Sequence, residues 1–211
     1  MTYIPRAMER ELLRLLGQYK AVLVTGARQV GKSTMLRKVL PDRPYVTLDD
    51  PWLEDQAKNQ TAMFLMMHPS PVTLDEVQRA PALFRYIKLK CDESESYGLF
   101  CLSGSQAFHL MHNASESLSG RIAILELSSL SQREITGDPC ALPFAPTMEY
   151  LSERAKTVKK TDNLWPMIHR GGYPFRPRIL SAGCHAPPYQ HNYSMSVRAR
   201  AHRSPHRGWR L

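Results

Sequence analysis

Residues 26–33 read Gly-Ala-Arg-Gln-Val-Gly-Lys-Ser, which matches G-x-x-x-x-G-K-[ST] at every fixed position. This stretch constrains the fold more than any other because it works in one setting only, after a buried strand and before a helix. Its glycines let the backbone curl so that successive N–H groups point inward at an anion. The helix that follows adds the positive end of its dipole at the same place. Both flanks suit that setting. Ala21-Val22-Leu23-Val24-Thr25 is a short apolar run of the kind buried in parallel sheets. Lys32 to Leu40 reads as a helix stopped by Pro41.

The rest of the chain repeats the alternation. Met8 to Leu16 carries Met8, Leu12, Leu13, Leu15 and Leu16 at helical spacing, and Gly17 closes it. Tyr45 to Leu48 reads as a second strand, followed by a helical stretch from about Trp52 to Met67, weakened at Asn59. Pro71-Val72-Thr73-Leu74 is a third strand ending on Asp75 and Glu76. Pro81 opens a helix whose apolar face carries Leu83, Phe84, Ile87 and Cys91. Leu99-Phe100-Cys101-Leu102 is a fourth strand, and after a short helical region Arg121 leads into a fifth, Ile122 to Leu127. Strands alternating with helices predict an α/β fold: a five-stranded parallel sheet P-loop NTPase core with helices on both faces. We divide the chain into that core over 1–130, a partial helical region over 131–174 and an irregular tail over 175–211.

Charge narrows the choice of partners. The net charge is +9, but from Phe175 onward there are seven arginines and no lysine, aspartate or glutamate, so 9 − 7 leaves +2 for everything before. A basic tail could hold nucleic acid, while the core is nearly neutral. The tail lacks any sustained period, so it has no face to bury and is expected to be disordered. No run of apolar residues is long enough to span a membrane, and Met1 to Arg14 lacks a signal-peptide core. We therefore expect a cytoplasmic protein without a membrane partner. Cys91, Cys101, Cys140 and Cys184 contain no CxxC pair and read as reduced structural thiols. Trp52, Trp165 and the methionines read as core rather than site.

The candidate site follows from the loop. Gly26, Ala27, Arg28, Gln29, Val30, Gly31, Lys32, Ser33 and Thr34 would cradle the phosphates of ATP, with Lys32 on the β- and γ-phosphates. Ser33 and Asp75 would hold Mg2+ from opposite sides. Glu76 would orient or deprotonate the water that attacks the γ-phosphate, although an Asp-Glu pair after a strand can also be a solvated turn. Ser103 and Ser105, after the fourth strand, would lie beside that water as phosphate sensors, or else form an ordinary Ser-Gly-Ser turn. Arg121 would act as a phosphate sensor or as a finger reaching a neighbouring subunit, or else simply cap a strand edge.

A resemblance joins these pieces. The segments 26–34, 74–81 (Leu-Asp-Glu-Val-Gln-Arg-Ala-Pro), 102–106 (Leu-Ser-Gly-Ser-Gln), 115–122 (Ser-Glu-Ser-Leu-Ser-Gly-Arg-Ile) and 170–174 (Arg-Gly-Gly-Tyr-Pro) resemble one group of proteins. They are prokaryotic ATPases of the AAA+ superfamily that carry a C-terminal domain of unknown function. The likeness covers about residues 1–174 and implies ATP and magnesium binding, hydrolysis in the intact family, and the roles given above to Lys32, Ser33, Asp75 and Glu76. It also implies that Ile4-Pro5-Arg6 lies near the adenine. The likeness stops at Pro174, where family members continue into a sizeable further domain. The acid-free tail then resembles translation in a wrong frame, and we expect a truncated chain. Partners would be ATP and a protein, or a second copy, meeting the ATPase core. Truncation favours an alternative, a nucleotide-dependent interaction module with little or no turnover. A P-loop kinase fits less well, because Asp75-Glu76 suits activation of water.

Overall fold

A computed structural model describes residues 3–105, 118–137, 146–157, 165, 168 and 171–174. The chain divides into two units, Met1–Phe175 and Arg176–Leu211. The expectations for the tail, for the helical region after the fourth strand and for much of 131–174 lie outside the described residues.

The elements run α1 (Glu9–Leu16), β1 (Ala21–Thr25), α2 (Lys32–Val39), β2 (Tyr45–Thr47), α3 (Pro51–Asn59) and α4 (Thr61–Met67). They continue with β3 (Val72–Asp75), a 3-10 turn (Val77–Arg79), α5 (Leu83–Glu93), β4 (Phe100–Gly104), β5 (Ile122–Glu126), α6 (Gln132–Thr136) and α7 (Met148–Thr157). The five strands form one sheet in the order β2-β3-β4-β1-β5, and every neighbouring pair is parallel. This is the expected α/β architecture.

The period-two alternation of the strands explains why helices cover both faces. Ala21, Leu23, Val72, Leu74, Phe100 and Leu102 pack with Ala57, Phe64, Phe84 and Ile87, under α3, α4 and α5. Their neighbours Val22, Val24, Cys101, Ala123 and Leu125 pack with Leu12, Leu16, Met35 and Leu36, under α1 and α2. Central strands buried on two faces read as near-continuous apolar runs. That is why β1 reads Ala-Val-Leu-Val-Thr with all five residues buried. Truncating Leu23 to alanine would cost about 2–5 kcal/mol, because the close-packed neighbours cannot fill the space. Burial also pushes the thiols of Cys91 and Cys101 up to about 11 and about 12, which keeps both as inert packing groups.

Local chemistry sets the boundaries. Asp50 caps α3 by accepting from the N–H groups of Trp52 and Leu53, with Pro51 at the first helical position. The single helix expected from Trp52 to Met67 is broken at Gln60, whose φ is −133°. There the buried Thr61 hydroxyl donates to the carbonyl of Ala57 at 2.7 Å, a side-chain bond that competes with the backbone ladder. The fourth strand runs on through Ser103 and Gly104, residues we had expected in the following loop. Trp52 and Trp165 are 61% and 79% exposed, which corrects their assignment to the core. Met63, Met66 and Met67 are also exposed, because Phe64 and Leu65 take the inward stripe of α4. Among the described residues no helix is long and apolar enough to cross a membrane.

Candidate functional site

The loop after β1 owes its curl to its backbone. Gly26 sits at φ +147°, Gln29 at +64° and Gly31 at +95°. A Cβ on Gly26 would lie 2.2 Å from the carbonyl oxygen of Leu127, so no other residue fits. Helix α2 then starts at Lys32 with no side-chain cap on Gly31 and no acidic residue in its first turn. Its leading N–H groups are left to an outside acceptor, at the positive end of the dipole. Lys32 is buried and folds back to donate to the carbonyls of Gly26 and Ala27 at 3.0 and 2.8 Å. Burial pulls its pKa down, against the opposing pull of Glu76 and Asp75. A buried ammonium held by two carbonyls beside uncapped N–H groups is the donor set a polyphosphate requires.

Next to the loop, at the end of β3, the buried carboxylate of Asp75 collects three donors. Ser33 Oγ donates to its Oδ2 at 2.7 Å, the Tyr45 hydroxyl donates to the same oxygen, and the Glu76 N–H donates to Oδ1 at 3.0 Å. A hydroxyl and a carboxylate this close are hard oxygen ligands of the kind Mg2+ takes alongside phosphate oxygens. Burial and the bond to Asp75 push the Tyr45 phenol up to about 12, so it stays a donor. The Arg37 guanidinium lies over its ring at 4.0 Å. An open cavity of about 610 Å³ is lined by Tyr3, Ser33, Thr34, Arg37, Tyr45 and Asp75 among others. Beyond Asp75 the chain bends sharply, with Glu76 at φ +59°. Among the described residues the two non-glycines with positive φ, Gln29 and Glu76, both lie in this site, where strain of this sort concentrates.

The family model of an AAA domain matches residues 18–136. The chain belongs to the AAA domain family. Uncharacterised proteins of Mycobacterium bovis and Mycobacterium tuberculosis are each 36% identical to it over 125 residues, 59% of this chain and 28% of theirs. The chain thus spans about 28% of the length of these curated relatives. The Walker-type ATPase of Pyrococcus abyssi aligns at 18% identity with a TM-score of 0.43, over 63% of this chain and 55% of that one.

Not every candidate is gathered at the AAA loop. Ser105 joins the site through Gln78, whose Nε2 donates to Ser105 Oγ at 3.3 Å. Ser103 is fully buried in β4, aligned with Val24 on the loop's own strand, and its hydroxyl has no protein partner. By alternation it shares the α1–α2 face with Cys101, so it belongs to the sheet rather than to a turn. Of the readings open for Arg121, the structure fits the strand-edge cap. Pairing of Ala21 with Ile122 puts it at the N-terminal edge of the sheet, about 16 Å of strand from the level of Thr25, where the loop begins. There it donates to Asp92 and to the Ser119 carbonyl, so it cannot act as a sensor for its own loop.

Three residues went unrecognised as parts of this AAA site or had no role from the residues themselves. Tyr45 read only as a strand residue, and Gln78 only as part of a motif. Arg6 drew notice through the resemblance alone. Its guanidinium is buried and donates to the carbonyls of Val30 in the loop and Ser128 after β5, at 2.7 and 2.6 Å, and to Glu134 at 3.1 Å. Burial would raise the Glu134 carboxyl, but the N–H groups of Ser131 and Ala7 and the Arg6 guanidinium hold it below its usual value. One arginine therefore ties the N-terminal segment to the phosphate loop and to α6. The Gly172 carbonyl accepts from the N–H of Leu130 at 2.6 Å, which brings Pro174 beside Gly31.

Proposed function

We propose that this AAA domain binds ATP with magnesium and hydrolyses it by in-line attack of water on the γ-phosphate. The observation that carries the reading is the meeting of Ser33 with Asp75 at 2.7 Å, next to Lys32 and Glu76, in front of an uncapped helix. Lys32 would leave its two loop carbonyls to pair with the β- and γ-phosphates. The loop N–H groups would hold the remaining phosphate oxygens in a fixed geometry. Mg2+, held by Ser33 with Asp75, supplies neutralisation of the phosphate charge when bound. Glu76 would orient the attacking water and take its proton. Catalysis of this sort rests on positioning and fixed charge, which the rigid sheet edge supplies.

Affinity and turnover measured on one sample test the proposal. Lys32→Ala should weaken ATP binding strongly in titration calorimetry. Glu76→Gln should bind ATP as the parent does yet lose about 10²–10⁴ in rate. Parent-like binding in the first variant removes the loop from the account. Parent-like turnover in the second removes Glu76, and a parent that binds without turnover leaves the interaction module as the reading.

A further inference from the structure

We infer that Gln78 is a positioning residue that holds the Glu76 carboxylate and links it to Ser105. The inference rests on the reading of Glu76 as the group that handles the attacking water. The side-chain nitrogen of Gln78 donates to Glu76 Oε2 and to Ser105 Oγ. An amide –NH2 carries two protons, so one nitrogen serves both partners. The orientation of the amide is fixed by its neighbour, since the reversed amide would set its oxygen against a carboxylate.

The short turn after β3 explains why Gln78 can reach back. Val77 is fully buried in the core, and the Arg79 N–H bonds the Glu76 carbonyl at 3.0 Å. With its backbone N–H on Asp75 and its carboxylate on Gln78, Glu76 is tied at both ends. This keeps one carboxylate oxygen occupied and leaves Oε1 to meet a water. Gln78 Oε1, in turn, is buried with no hydrogen-bond partner. A buried acceptor left open is unfavourable for folding alone, so what the side chain contributes here is its nitrogen, held against Glu76 and Ser105.

The test uses the full chain and four variants. Gln78→Glu keeps the length and shape of the side chain but loses the donor. Both it and Gln78→Ala should lower kcat about tenfold to a hundredfold, the worth of a hydrogen bond to a charged group, with KM for ATP within about twofold of the parent. Gln78→Glu also sets a like charge against Glu76, so its melting temperature is measured beside kcat. Gln78→Ala removes the donor without that charge, and parental kcat in either variant overturns the inference. So does a raised KM at unchanged kcat. Glu76→Gln is the control: if its turnover is parental, the reading of Glu76 has failed, whatever Gln78 does. A nucleotide-free measurement stands apart from activity. The side-chain amide protons of Gln78, seen by nitrogen-15 NMR, should be distinct and protected in the parent. In Glu76→Ala the proton bonded to Glu76 should move towards a free-amide position while the one on Ser105 stays bonded. Unchanged signals there overturn the inference even if the Gln78 variants do not fold.

Discussion

The two edges of the sheet are made from the same strands yet behave differently. At the C-terminal edge two non-glycines, Gln29 and Glu76, hold positive φ, beside Gly26 and Gly31, whereas at the N-terminal edge positive φ falls on glycines such as Gly98. Buried polar groups also collect at the C-terminal edge, with Lys32, Asp75 and Ser103 each under 10% exposed. At the N-terminal edge Lys20 donates to the carbonyl of Cys91 at 2.9 Å, and Arg121 pairs with Asp92 on a part-exposed surface. Pairs of that kind contribute about 0–1 kcal/mol. The difference follows from strand direction. In a parallel sheet every strand delivers its following loop, and the positive start of the next helix, to one edge. The candidate site lies there, where the dipoles and the free N–H groups converge.

The strongest way to break this comparison is a glycine exchange at each edge. Gly26→Ala forces a side chain into φ +147° and onto the Leu127 carbonyl, so ATP binding should disappear and the melting temperature should fall by several degrees. Gly98→Ala at the opposite edge meets the Leu16 carbonyl at 2.7 Å with φ +64°, and should lower the melting temperature while leaving ATP affinity at the parental value. Calorimetry showing the same loss of affinity for both would erase the distinction. Asp75→Asn comes next. It keeps the shape of the side chain but not its charge, so half-saturation should need roughly tenfold more Mg2+ or beyond, a loss of about 1.4 kcal/mol. An unchanged magnesium titration of ATP affinity would sink the assignment of Asp75.

Glu134 sharpens the comparison through pH. Its folded carboxyl is held below the usual value, so the folded chain binds that proton more weakly than the unfolded one. The stabilisation is complete above the unfolded value of about 4.3 and is lost as pH falls through the folded value. Denaturant unfolding of the parent should therefore weaken with acid in that window, and Glu134→Gln should flatten the dependence. A parent and variant with parallel curves would remove the Arg6–Glu134 tie from the stability of the loop edge. The smallest effect belongs to Arg121→Ala, expected within about 1 kcal/mol in stability and parental in ATP affinity and turnover. Loss of turnover there, with binding intact, would show that the N-terminal edge serves a site on another copy.

The loop and its flanks were legible because glycines at fixed spacing state a backbone requirement that any fold must honour. The same holds for the three central strands, β1, β3 and β4, whose near-continuous runs announce burial on two faces. Glu76 was legible as chemistry, but its left-handed turn was not, since nothing in Asp-Glu-Val predicts φ +59°. Ser103 looked like a loop residue because small polar residues favour turns, and only pairing with Val24 drew it into β4. Trp52 read as core on hydrophobicity, whereas α3 buries Ala57 instead and leaves the indole out. Arg121 was left open between a phosphate sensor, a finger to a neighbouring subunit and a strand-edge cap. Strand order and direction put it at the end of the sheet away from the phosphate loop. The sequence by itself determined the phosphate loop, the carboxylate pair and the layered α/β plan, all local or periodic properties of the chain. Tertiary structure alone decided which polar groups meet. Arg6 reaches Val30, Ser128 and Glu134, and Tyr45 reaches Asp75. Such contacts join residues as many as 128 positions apart, and no local pattern encodes the distance between side chains that only the assembled sheet brings together.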